Sequence, residues 1–183
     1  GKIEETNEGY GVSKILGVKF IEMLNKQYKT SHLSIIPAAS YGPNDCYDQQ
    51  KNHVIPALIT KFHEGKIKNR KNIKIWGTGN VKREFIHVDD MADGIMHIIK
   101  NYKGREAINL GTGEEISIKN LALLIQKVVG YEGDVVFDNT KPDGIKRKIL
   151  DNSKIKKLKW KPKISLKEGI ELSYKEFIKK TEK

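Results

Sequence analysis

What most constrains this chain is a repeated change of hydrophobic period. Stretches with apolar residues every three or four positions alternate with short β-branched runs. From about Gly9 to Tyr28, the residues Ile15, Val18, Phe20, Ile21 and Leu24 fall at helical spacing. Leu33–Pro37 then reads as a short buried strand, running into a Gly/Pro/Asn/Asp-rich loop over Tyr41–Tyr47. A second helix is expected over Val54–Glu64, and strands near Ile73–Trp76 and Phe85–His87, split by Gly77-Thr78-Gly79-Asn80. Helix resumes at Asp89 or Asp90 and runs to about Lys100, with acids in its first turn where the helix dipole favours them.

The alternation continues with a strand over Ala107–Leu110, closed by Gly111-Thr112-Gly113. Ser117 is placed to cap a helix running to Val129, which Gly130 stops. Asp134–Phe137 is strand-like, and Ser165-Leu166-Lys167-Glu168 is a capping-box pattern opening a last helix to about Lys180. Helices interleaved with strands predict an α/β fold rather than a bundle or a sandwich.

Charge and cysteine content narrow the function. The chain has 34 basic and 23 acidic residues, a net +11, and its single cysteine, Cys46, excludes a disulfide framework and a cysteine-based zinc site. No metal is expected. That cysteine usage fits a reducing cytoplasm. No apolar run approaches the roughly 18 residues of a membrane span, and no signal peptide opens the chain, so the expectation is a folded cytoplasmic protein with no membrane partner. The excess charge sits in residues 141–183, with 15 Lys or Arg against 6 acids. Only four basic residues in the whole chain are Arg, the side chain suited to forked phosphate and base contacts, and the tail lysines lack interleaved aromatics. A solvated lysine-rich face, with some attraction for anionic ligands, is the expected reading, and no nucleic-acid partner is expected.

One pattern carries chemistry of its own. In Tyr10-Gly-Val-Ser-Lys14, positions i and i+4 share a helix face, so phenol and ammonium lie side by side. A free phenol has a pKa of about 10, and a neighbouring ammonium favours the phenolate, which makes the pair a proton donor and acceptor for carbonyl–alcohol interconversion. The same spacing also arises as an ordinary exposed helix pair. His53 stands where it can cap a helix; Trp76 has the composition of a core residue; Arg83 can pair with Glu84 or a nearby Asp on the surface. Asp89-Asp90 reads as a helix N-terminus. Neither Gly-Thr-Gly segment matches G-x-G-x-x-G or a P-loop.

Order changes the weight of these motifs. After Tyr10 and Lys14 come Tyr41-Gly42-Pro43-Asn44-Asp45, Asn52-His53-Val54-Ile55-Pro56 and Trp76-Gly77-Thr78-Gly79. Arg83-Glu84-Phe85-Ile86-His87-Val88-Asp89-Asp90, Asn109-Leu110-Gly111-Thr112-Gly113 and Lys141-Pro142-Asp143-Gly144 follow. The ordered set, from about Tyr10 to Tyr174, resembles the extended short-chain dehydrogenase/reductase family. Its N-H-V-I-P-A-L stretch and K-P-D-G loop resemble the branch that epimerises and reduces GDP-linked 4-keto-6-deoxy sugars.

The resemblance implies the end of a doubly wound parallel sheet plus a smaller α/β substrate domain. Residues 1–52 would be the remainder of the NADP-binding domain with its Tyr-Lys helix. Residues 53–183 would be mainly substrate-binding, with some segments returning to the cofactor sheet. Tyr10 would donate a proton as hydride from NADPH reduces the C4 ketone, and Lys14 would lower its pKa and hold the nicotinamide ribose. Pro37, Ala38, Ala39 and Ser40 match the segment beside the nicotinamide end of NADP(H). His53 matches an acid in the C3 and C5 epimerisation, also placed at the cofactor. Lys61, Trp76, Arg83 and Asp143 match substrate-binding positions, with Arg147 and Lys148 near enough to offset diphosphate charge. Ala39 stands where the family usually has an amide, and Lys61 where it has an arginine. The expected substrate is a GDP-linked 4-keto-6-deoxy sugar and the expected assembly a homodimer through the Tyr-Lys helix. Another nucleotide-sugar epimerase, dehydratase or reductase, and a non-catalytic binding module, stay open. Nothing before Tyr10 supplies a glycine-rich phosphate turn, so the chain reads as part of a longer protein and is not expected to turn over substrate alone.

Overall fold

The computed structural model describes residues 3, 8–48 and 53–181. In chain order the elements are α1 (Glu8–Tyr28), β1 (Ile35–Pro37), β2 (Ala39–Tyr41), α2 (Val54–Ile67), β3 (Asn72–Trp76), β4 (Lys82–Arg83), β5 (Phe85–His87), α3 (Val88–Asn101), β6 (Ile108–Leu110), β7 (Ile116–Ser117), α4 (Ile118–Val129), β8 (Asp134–Asp138), β9 (Arg147–Lys148), α5 (Ser153–Lys157) and α6 (Leu166–Thr181). The expected alternation is present throughout. Three strand pairs are parallel: β1 with β6, β2 with β5, and β3 with β8. A small mixed sheet in the order β7-β4-β9 completes the set.

Local chemistry explains most boundaries. Ser117 accepts a hydrogen bond from the Asn120 N–H at 3.1 Å and starts α4, while Gly130, at φ 70°, ends it in the left-handed region. Ser165 Oγ accepts from the Glu168 N–H at 3.3 Å and opens α6. Two cores result. The larger gathers Ile55, Ile59 and Phe62 of α2, Ile73 and Ile75 of β3, Leu121 and Ile125 of α4, and Ile170 and Phe177 of α6. The second joins Ala38, Ile86, Ile98, Ile108, Leu110, Ile155 and Trp160.

Three features depart from expectation. β1 is not buried, and Ile36 keeps 38% of its surface: among the described residues β6 is its one strand partner, and nothing covers its outer side. The segment expected to be loop from Tyr41 is entered through strand β2. The strands β4, β7 and β9, two residues each, and the five-residue α5 are too short for periodicity to register.

Two buried carboxylates hold irregular segments in place. Glu84, 3% exposed, accepts from the Gly113 N–H (2.7 Å), the Leu150 N–H (2.8 Å) and Asn152 Nδ2 (2.9 Å). Asp90, 2% exposed in the first turn of α3, accepts from the Lys163 and Ile164 N–H groups, each at 2.9 Å. No helix among the described residues is long and apolar enough to cross a membrane.

Candidate functional site

The candidate residues form two groups. The first lies on and after α1. Tyr10 and Lys14 occupy successive turns, both side chains are exposed, and the Lys14 ammonium lies 5.2 Å from the Tyr10 ring centroid. The helix pattern thus brings phenol and ammonium together on an open face. Pro37, Ala39 and Ser40, at the junction of β1 and β2, are also exposed. Ala38 differs: its side chain packs in the second core and its N–H donates to the Leu110 carbonyl at 2.9 Å, so its side chain is not available to a ligand.

The second group surrounds the C-terminal end of β3. Side chains alternate along that strand, Ile73 and Ile75 inward and Lys74 and Trp76 outward. Trp76 is 72% exposed, so it is no core residue, and the Lys141 ammonium lies 5.8 Å from its ring centroid. Lys61 reaches across from α2 and donates to the Lys74 carbonyl at 2.6 Å; partial burial pulls its pKa below the usual lysine value. Arg83 does not pair with Glu84. Its Nη1 donates to the carbonyls of Lys82 (2.7 Å) and Ile145 (2.6 Å), leaving the guanidinium without a carboxylate partner among the described residues.

Asp143 is already engaged. The Thr78 N–H donates to one carboxylate oxygen at 2.9 Å and the Thr78 hydroxyl to the other at 2.7 Å, and these bonds hold its pKa below the usual carboxylate range. Gly77, at φ 82°, makes this possible, because a Cβ there would collide with the Asp143 carboxylate. Trp76, Arg83 and Asp143 are therefore all linked to the segment 139–146, while Lys61 is tied to the strand that carries Trp76.

Arg147 and Lys148, expected to act together, are separated by the strand pairing. β9 runs parallel to β4 with Lys82 opposite Arg147 and Arg83 opposite Lys148. Lys82 (2.9 Å) and Arg147 (2.6 Å) both bind Glu115 and share its one negative charge on one face. Arg83 and Lys148 share the other face, and Lys148 has no ion-pair partner among the described residues. Only the register reveals this, since the sequence places two cations side by side without saying which faces an acid.

His53 precedes α2 at its N-cap position, exposed, and its side chain makes no capping hydrogen bond. The local capping role open to it from sequence is not used. A cavity of about 390 Å³ between β5 and the Pro162–Leu166 segment is lined by Tyr41, Phe85 and His87 and contains none of the candidate residues. Among the described residues no group of three or more His, Cys, Asp or Glu is placed to hold a metal ion, and Cys46 is an exposed free thiol.

Parallel strand pairs, an exposed Tyr-Lys helix and a solvent-facing tryptophan with unpaired cations among the described residues point to a class. The profile of the NAD dependent epimerase/dehydratase family matches residues 1–111, and the chain belongs to that family. It is similar to a probable GDP-L-fucose synthase 1 of Oryza sativa subsp. japonica, 45% identical over 178 residues, which cover 97% of this chain and 54% of that protein. Among solved structures it is similar to a GDP-6-OMe-4-keto-L-xylo-heptose reductase from C. jejuni, with TM-score 0.90 and 33% identity over 98% of this chain and 63% of that one. It is also similar to a GDP-L-fucose synthetase from Naegleria fowleri bound to NADP, with TM-score 0.80 and 26% identity over 92% of this chain and 54% of that one. The chain spans about half the length of the curated relatives it matches.

Proposed function

We propose that the protein carrying this chain converts a GDP-linked 4-keto-6-deoxy sugar to GDP-L-fucose by 3,5-epimerisation and NADPH-dependent C4 reduction. The observation that carries the reading is an open Tyr10–Lys14 helix face together with exposed Trp76 and the cations Lys61, Arg83 and Lys148, none of which has a carboxylate partner among the described residues. Uncompensated cations suit a nucleoside diphosphate, and an exposed indole suits its base. The single cysteine accords with action in the cytoplasm.

NADPH, when bound, supplies the hydride. The residues present suit its nicotinamide end: Lys14 toward the ribose and the exposed residues Pro37, Ala39 and Ser40 alongside, with His53 in the role the family resemblance gives it. Tyr10 gives its phenolic proton to the C4 oxygen as the ketone is reduced, with the Lys14 ammonium stabilising the phenolate left behind. His53 returns a proton to carbon during epimerisation. On this reading residues 1–52 belong to the cofactor side and most of residues 53–183 to the substrate side. The partner is a second copy of the chain. Val12, Leu16, Phe20 and Met23, spaced four, four and three apart, make an exposed stripe along α1, and a two-fold axis can set it against its own copy.

The test is NADPH oxidation by the full-length protein with GDP-4-keto-6-deoxymannose in deuterated water. GDP-L-fucose carrying deuterium at C3 and C5, and loss of turnover in Tyr10→Phe, support the reading. Reduction without exchange favours a 4-keto reductase, the second reading, to which the likeness to the C. jejuni heptose reductase and the loss of an amide at Ala39 point.

A further inference from the structure

The segment 139–146 crosses the substrate face and is tied down at every stage. Thr140 donates through N–H (3.1 Å) and hydroxyl (2.6 Å) to Asp138, at the end of β8. Lys141 lies over the Trp76 ring. Asp143 is gripped by Thr78 through two donors, and Ile145 accepts from Arg83. The Lys82 N–H, donating to the Lys146 carbonyl at 2.9 Å, seals the far end. Of these ties, the one between Thr78 and Asp143 joins the turn that follows Trp76 directly to the segment crossing it.

We infer that Thr78 is a positioning residue for this site, acting through Asp143, whose two carboxylate oxygens it holds as the other half of a latch. A bidentate carboxylate fixes both the distance and the angle between two loops, which one hydrogen bond does not. Both oxygens are engaged by Thr78, so a ligand that recruited Asp143 would have to break or share those bonds. Latched, the Gly77-Thr78 turn holds the indole of Trp76 under Lys141 and fixes the Ile145 carbonyl that aims Arg83. The latch therefore presets stacking surface and guanidinium together, which lowers the ordering cost of binding. This rests on the nucleoside-diphosphate reading of the site.

The test compares Thr78→Val, Thr78→Ser, Asp143→Ala and the Thr78→Val/Asp143→Ala double variant in the full chain. Acrylamide quenching reports Trp76 without ligand, because Trp160 is 5% exposed and bonded to Asp93, and Trp76→Phe identifies the quenchable component. The latch predicts faster quenching and an about three- to tenfold weaker GDP affinity in Thr78→Val and Asp143→Ala, with Thr78→Ser restoring both. It predicts that the double variant loses no more than Asp143→Ala alone, which already removes both bonds, whereas Thr78→Val keeps the backbone one. The Asn80 N–H also donates to the Thr78 hydroxyl, and this cycle separates that contribution. A direct role for Asp143 predicts instead that Asp143→Ala weakens binding while Thr78→Val leaves binding and quenching unchanged, which overturns the inference. If the unaltered protein binds no GDP, the functional reading fails, and the ligand-free quenching series alone decides the latch.

Discussion

Single side chains here hold the fold by satisfying backbone donors in segments that have no secondary structure of their own. Glu84 is the clearest case: three donors from two segments, Gly113 in one and Leu150 and Asn152 in the other, meet one buried carboxylate. Glu84→Gln keeps the shape but turns an N–H₂ toward a group that itself donates, so we expect a loss of about 1–3 kcal/mol, measured by urea unfolding. At Asp143 the consequence is pH dependence. Its carboxyl is held low by the Thr78 bonds, so the latch is intact above the ordinary carboxylate range and is lost as pH falls through the lowered value, from about pH 4 downward. Quenching of Trp76 should rise over that range, and Asp143→Ala should show the raised level already at neutral pH. From sequence, Arg83-Glu84 reads as a candidate surface ion pair; in the fold the two neighbours go opposite ways, one to carbonyls at the surface and one into the interior.

At the scale of elements, close approach and exposed faces matter most. Gly94 lets α3 lie against β6 and Trp160: a Cβ there would sit 2.6 Å from Leu110 Cδ1 and 3.0 Å from the Trp160 ring. Gly94→Ala should cost about 1–3 kcal/mol by overpacking, read as a lowered denaturation midpoint. On α1 the one buried residue is Asn25, whose side chain bonds Thr30 and the backbone of His32, so the helix is anchored at its C-terminal end while its apolar stripe stays uncovered. On the proposed homodimer reading, Leu16→Glu should give a monomer in sedimentation, without loss of helix by circular dichroism. The α4 boundaries and the start of α6 were legible because Ser117, Gly130 and Ser165 act within a few residues of themselves. β4, β7 and β9 were not, because a two-residue strand is defined by its partners.

For the whole molecule, charge is sorted by register rather than by abundance. The tail holds much of the positive charge, yet Lys154, Lys163 and Arg147 are paired with Glu106, Asp93 and Glu115. Among the described residues Arg83 and Lys148, opposite each other across β4 and β9, have no ion-pair partner, and on the proposed reading they attract the anionic ligand. Lys148→Ala should weaken GDP binding and flatten its salt dependence more than Lys157→Ala, a comparison that titration at two ionic strengths provides. The sequence by itself determined the α/β alternation, the caps of α4 and α6 and the Tyr10–Lys14 pair, because periodicity, capping and i,i+4 spacing are local physics. Tertiary structure alone decided that Trp76 is exposed, that Asp143 is held by Thr78, that Ala38 is core, and that Lys148 rather than Arg147 stands beside Arg83. Each of these depends on which strand lies next to which, and pairing between residues distant in sequence is set by packing of the whole chain rather than by any segment's own preference.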